Sequence, residues 1–297
     1  MEAPSPAETR KPAQYAAFAV MSLIWGTTFL AIRIGNEAVA PLWGATLRLI
    51  LAAALNALVA VLTRAHWPRG AALRGIALFG FLNLGVNFGL LYWGEQTVPS
   101  GIAAVIFATI PLSTSLFARA FGLEPLRRRV VLASLAGLGG VGLMFSSNLE
   151  GHYEPARLVA VVLAALTASL AGVLLKRAPG GHPLATNAWA QGVGALLCVV
   201  ASRLIGEPQA WPSGQAWIAI GYLTILGSVV TFVTFVWLLQ HWPVTRTSFI
   251  AVVIPLLALI LGAIVRHERP GALALVGALI ILGAVLAGIA GERTARA

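Results

Sequence analysis

The sequence predicts an all-α membrane protein of ten transmembrane helices in two inverted five-helix repeats, and three observations predict it. Hydrophobic residues make up 59% of the 297-residue chain and charged residues 10%, with a mean hydropathy of +0.87. An average soluble chain is about one-quarter charged, and a soluble protein this apolar has too little polar surface to cover itself. Ten apolar runs punctuate the chain, most of them with the roughly 20 residues a helix needs to cross about 30 Å of hydrocarbon. Finally, a shift of 144 positions lays Trp93 on Trp237, Gln96 on Gln240, Pro99 on Pro243, Ile106 on Ile250 and Pro111-Leu112 on Pro255-Leu256. Rare residue types in one register over that length indicate an internal duplication.

Taken in order, residues 1–12 form a Pro/Glu/Ser-rich tail with nothing to bury. Apolar segments follow at about 13–32, 41–62, 75–93, 99–118 and 130–146, which make the first repeat, 13–146. Those at about 157–175, 184–200, 215–240, 243–265 and 271–290 make the second, 157–290, and 291–297 is a short polar tail. Leu/Ala/Val runs without alternation favour helices over barrel strands. Pro12, Pro41, Pro99, Pro155, Pro183 and Pro243 stand at or near helix starts, where a missing N–H costs little. Small residues such as Gly85-x-x-x-Gly89 and Gly137–Gly142 permit close helix contact in lipid. The first apolar run is itself long enough to span, and residues 1–12 are polar, so no removable signal peptide is expected.

Loop charge orients the chain. With both termini inside, the cytoplasmic face receives fourteen Arg and Lys and the outer face five, with Arg48 left inside a span. Each half holds five spans, so the second half is expected upside down relative to the first, the arrangement of many secondary transporters. The net charge of +10 lies in short gaps and forms no basic groove, so no nucleic-acid partner is expected. The expected partners are the lipid bilayer and a small-molecule substrate, with a homodimer left open. The abundance of Arg, Ala and Gly suits a bacterial inner membrane.

Candidate functional residues are mostly neutral. The chain has no Asp, and its ten Glu stand at or beyond helix ends, Glu37 and Glu95 among them. No proton-coupling carboxylate is therefore expected at mid-membrane. Asn83 and Asn87 share a helix face, Thr109 and Ser113 bracket Pro111, and Thr224, Ser228 and Thr231 form a stripe. Such groups either bond neighbouring helices or line a cavity. Trp25, in mid-span, either packs in the core or stacks on substrate. Arg48 either reaches the interface, pins a neighbouring helix or attracts an anion. Pro111 and Pro255, each in mid-segment, act as structural kinks or gating hinges. Trp25, Asn83, Asn87, Thr109, Ser113, Thr224, Ser228 and Thr231 form the expected substrate site, with Arg48, Pro111 and Pro255 as gating or structural residues.

No enzyme motif is visible. Gly137-Leu-Gly-Gly-Val-Gly lies inside a span and follows no strand. The five His have no metal-ligand spacing, and the single cysteine, Cys198, sits in an apolar run. Neither a metal nor a cofactor is expected. The competing classes are a channel or scaffold, and a membrane enzyme of lipid metabolism.

WGTTFLAIRIG at 25–35, Arg48, GIAAVIFATIPLSTSLFARAFGLE at 101–124 and TRTSFIAVVIPLLALILGAIVRHE at 245–268 together resemble the EamA family of the drug/metabolite transporter superfamily. The family's Gly-Glu after the fourth span appears as Gly122-Leu-Glu124, and after the ninth as His267-Glu268. The resemblance implies export or exchange of small metabolites, often amino acids, without naming the solute.

Overall fold

The computed structural model describes residues 6–98, 100–146, 153–178, 180–265 and 271–290, and every regular element among them is helical. In the first half these are α1 (Pro6–Asn36), α2 (Pro41–Leu62), α3 (Ala71–Phe79), α4 (Asn87–Gly94), α5 (Ser100–Phe107), α6 (Ile110–Ala120) and α7 (Arg128–Met144). In the second they are α8 (Pro155–Arg177), α9 (Pro183–Leu204), α10 (Gln215–Thr224), α11 (Thr231–His241), α12 (Val244–Ser248), α13 (Ile250–Val265) and α14 (Ala272–Ala290). Among the described residues, seven helical stretches are long and apolar enough to cross a membrane: Pro41–Leu62, Ala71–Gly94, Ile102–Ala120, Pro155–Arg177, Pro183–Leu204, Gln215–His241 and Ala272–Ile289. Val244–Leu257 is a shorter apolar helix. Leu196, Leu204, Ile218 and Leu279 are largely exposed, which suits a surface that faces lipid rather than water.

Two of these stretches contain a π-helical turn that no periodicity argument anticipates. Gly80–Val86 joins α3 to α4, and Ile225–Val230 joins α10 to α11. The 144-residue shift carries Phe81–Val86 onto Ile225–Val230, so the irregularity recurs in register. A π-turn inserts extra backbone into a helix and misaligns carbonyls that would otherwise be bonded, and it is frequent at functional sites.

Proline marks the next segments differently. Pro111 opens α6, after α5 has ended at Phe107 and the chain has turned through Ala108-Thr109. Ending α5 there removes the clash between a mid-helix proline ring and the carbonyl four residues back. Pro255 stays inside the continuous helix α13. The expected pair of equivalent mid-helix kinks is therefore one helix break and one proline inside a helix.

The most extensive helix pairs are α7 with α14 and α2 with α9. Glycine brings the first pair close, and the first π-turn close to α9. A Cβ on Gly140 would lie 2.9 Å from the Gly277 carbonyl oxygen, and one on Gly277 only 2.5 Å from that of Gly140. In the same way Gly80 of the first π-turn meets the Ala190 backbone of α9, and Gly194 of α9 meets Leu84. The apolar core between the halves includes Ile32, Leu49, Phe79, Tyr92, Val173, Leu223, Phe232 and Val236.

Candidate substrate cavity

A cavity of about 170 Å³ lies where helices of both halves meet. At about 30 Å³ per water in the liquid this is room for roughly half a dozen water molecules, or for one small metabolite. α1 contributes Trp25, Thr28 and Ile32, α2 Arg48, and the first π-turn with α4 contributes Asn83, Asn87, Phe88, Leu91 and Tyr92. The wall is completed by Phe107, Ile110 and Thr114, by Ala168, Ser169 and Gly172 of α8, by Phe232 and Phe235 of α11, and by α12 and α13.

Aromatic rings form much of this wall. Trp25 stands edge-on to Phe232 at 5.3 Å between ring centroids and 5.9 Å from Phe235, which stacks on Phe79 at 6.1 Å. Phe88 and Tyr92, one turn apart on α4, lie 5.9 Å from each other.

Arg48 is 3% exposed and holds the second π-turn. Its Nε donates to Ser228 Oγ at 2.6 Å, its Nη2 donates to the Gly227 carbonyl at 2.8 Å, and its guanidinium lies 5.1 Å from the Phe88 ring centre. The Gly227 carbonyl also accepts from Thr231 Oγ1 at 2.8 Å. Behind this contact, Asn56 Nδ2 donates to Gln191 Oε1 at 2.8 Å, and Gln191 Nε2 donates to the Ser228 carbonyl at 3.1 Å. Each cross-helix bond satisfies a polar group that would be expensive to leave bare in the membrane. The fully buried Asn56 and Gln191 were not among the expected functional residues. Their signal was a lone amide in the second apolar run and the same-face pair Asn187 and Gln191 in the seventh.

Of the expected substrate residues, the cavity gathers Trp25, Asn83 and Asn87, together with Arg48. Asn83 is half-buried and makes no side-chain hydrogen bond among the described residues. Asn87 donates to the Ala164 carbonyl of α8 at 2.9 Å, so it both faces the cavity and ties two helices. Thr109, Ser113, Thr224, Ser228 and Thr231 are not on the wall. Thr109 donates to the Ile106 carbonyl, Ser113 bonds Ser169 and its own helix, and Ser228 accepts from Arg48. The buried Thr224 hydroxyl has no partner among the described residues. Ser and Thr satisfy themselves on the carbonyl one turn back, so a polar stripe need not mark a cavity. Among the lining residues missing from the expected set, Phe88, Tyr92, Phe232 and Phe235 are aromatic and read as ordinary membrane-core side chains, while Thr28, Thr114, Ser169 and Ser248 carry hydroxyls.

Residues 13–146 and 156–288 each match the EamA-like transporter family. The chain belongs to that family. This EamA-like transporter is 34% identical over 254 residues to a protein named as the uncharacterised inner membrane transporter YedA of Escherichia coli K12, covering 84% of this chain and 81% of that one. It is 29% identical over 278 residues to a probable terminal-alkyne amino-acid exporter of Streptantibioticus cattleyicolor, covering 91% of each chain. Protein PecM of Dickeya dadantii is 28% identical over 273 residues, covering 89% of this chain and 88% of that protein. A crystal structure with a TM-score of 0.76 and 20% identity covers 93% of this chain and 97% of its own, and shows the same fold. The EamA-like chain is thus a multi-pass membrane protein of a transporter family, and its relatives' names point to transport rather than catalysis.

Proposed function

We propose that this EamA-like protein is a secondary transporter that exports or exchanges small polar or amphipathic metabolites, amino acids among them, by alternating access through the central cavity. The observation that carries the reading is that one cavity draws its wall from helices of both sequence-related halves. Two five-helix repeats of opposite orientation would let each half exchange roles about such a centre and open it to either side. The fourteen-to-five loop charge bias supports an inner-membrane topology with both termini in the cytoplasm. The amino-acid exporter among the relatives supports amino acids as the first solutes to test.

Counterflow in liposomes tests this. Purified protein is reconstituted with a panel of unlabelled amino acids inside, and uptake of labelled solute from outside is followed. Saturable, transiently uphill uptake that depends on the internal solute is the expected outcome. Uptake that is linear in concentration and indifferent to internal solute would indicate a channel and overturn the exchange cycle.

A further inference from the structure

Resting on that reading, we propose that the cavity selects solutes carrying a carboxylate, held by Arg48, with an apolar body received by the aromatic wall. Arg48 is the one charged side chain among the described residues that line the cavity. No acidic side chain pairs with it there: the ion pair found among the described residues is Arg157–Glu154, elsewhere in the molecule. A guanidinium has five N–H donors. Arg48 directs one to Ser228 Oγ and one to the Gly227 carbonyl, while the Tyr92 hydroxyl lies against it as a further neighbour. Donors remain for a ligand, and their planar fork matches a carboxylate.

Electrostatics favours the anion for a second reason. A buried cation surrounded by neutral dipoles and ring faces is only partly compensated. An incoming carboxylate supplies the missing countercharge, whereas an ammonium group meets repulsion in a poorly screened space. Asn83, whose side chain makes no hydrogen bond among the described residues, stands on the same cavity wall and can accept or donate to the polar end of the solute. Trp25, Phe232 and Phe235 offer apolar surface for the rest. Arg48 therefore has two tasks. It pins the second π-turn, and it presents charge to the solute.

The test uses the full-length protein in detergent and four probes: 3-phenylpropionate, L-phenylalanine, 3-phenylpropylamine and 3-phenyl-1-propanol. Binding is followed by tryptophan fluorescence and by thermal shift. Both carboxylates are expected to bind saturably, with at least tenfold lower Kd than the amine and the alcohol. Arg48→Gln should erase that difference, and Arg48→Lys should restore it in part. If Arg48→Gln does not fold, the wild-type series still decides. Equal binding of the amine or the alcohol, or no saturable binding of either carboxylate, would overturn the proposal. So would an intact carboxylate preference in Arg48→Gln. Counterflow with the same probes separates the two readings. Counterflow of a tightly bound amine removes the carboxylate site but leaves the transporter, whereas carboxylate binding without counterflow keeps the site and counts against the transport cycle.

Discussion

The two π-turns share a backbone device and differ in what surrounds it. In the first, Gly80–Val86, side chains do the work: Asn83 and the adjoining Asn87 and Phe88 face the cavity, while Gly80 lets α9 come close behind. In the second, Ile225–Val230, the backbone is the functional surface. Its Gly227 and Ser228 carbonyls accept from Arg48, Thr231 and Gln191. One repeat thus displays polar groups to the cavity and the other absorbs polar groups from the protein. Duplication copied the backbone irregularity, and divergence of the side chains gave the copies separate tasks.

Backbone proximity gives the largest expected effect. A Cβ on Gly80 would lie 2.4 Å from the Ala190 carbonyl oxygen and 2.8 Å from its Cα, neither of which can swing aside. Gly80→Ala should therefore destabilise by about 3 kcal/mol, at the upper end for overpacking. Gly221, on the helix leading into the second π-turn, has nothing within 4 Å of its Cβ position. Gly221→Ala should be close to neutral in the same thermal melt, and equal melting of the two variants would erase this side of the contrast.

The polar network comes next. Gln191→Leu leaves the Ser228 carbonyl and one Asn56 donor contact unpaired, at a cost of about 2 kcal/mol. Detergent unfolding should show that loss. A wild-type melting temperature would mean that the second π-turn does not need its pin.

The first π-turn is probed through binding. Asn83→Ala should weaken solute affinity roughly three- to tenfold, the worth of one neutral hydrogen bond, with stability unchanged. Asn87→Ala should cost stability too, by about 1 kcal/mol, because it also loses the Ala164 carbonyl. Both quantities are measured on one purified preparation. Early unfolding with normal affinity in both variants would take the amides out of the site.

A separate, pH-dependent effect lies at the far end of α4. Glu95 follows the span Ala71–Gly94, and burial pushes its carboxyl up to about 7. Its Oε1 has no partner among the described residues, since Arg157 bonds the Trp93 carbonyl, Gln96 and Glu154 instead. The shifted position in the second half is Leu239. A carboxyl with a raised folded-state pKa binds its proton more tightly when folded, so its stabilising contribution is lost as pH rises from the ordinary carboxylate range through about 7. Melting temperature should fall between about pH 5 and pH 7.5 and level off above, and Glu95→Gln should flatten that slope. A slope that survives in Glu95→Gln would assign it to another group.

Much of this was written in the sequence because membrane insertion is a constraint on composition and run length. Lipid demands long apolar helices whose backbone groups bond internally, so the all-helical membrane class, the tandem family resemblance and the transporter class could be read from the sequence. Of the ten expected spans, seven stand out by length and hydropathy among the described residues. The mid-span positions of Trp25, Asn83, Asn87 and Arg48 were visible for the same reason, since polar or amphipathic side chains stand out in hydrocarbon. Which of the polar residues share a wall was not visible. Helical spacing places Thr224, Ser228 and Thr231 on one stripe, but only the packed helices decide whether a stripe meets a cavity, a neighbouring Arg48 or its own backbone carbonyls. The π-turns were hidden as well, because an i→i+5 turn leaves no periodic mark in a run that is apolar all round. Sequence determined the solvent and the helices. Tertiary packing decided the cavity, because only there do side chains distant in the chain compete for the same hydrogen bonds and the same space.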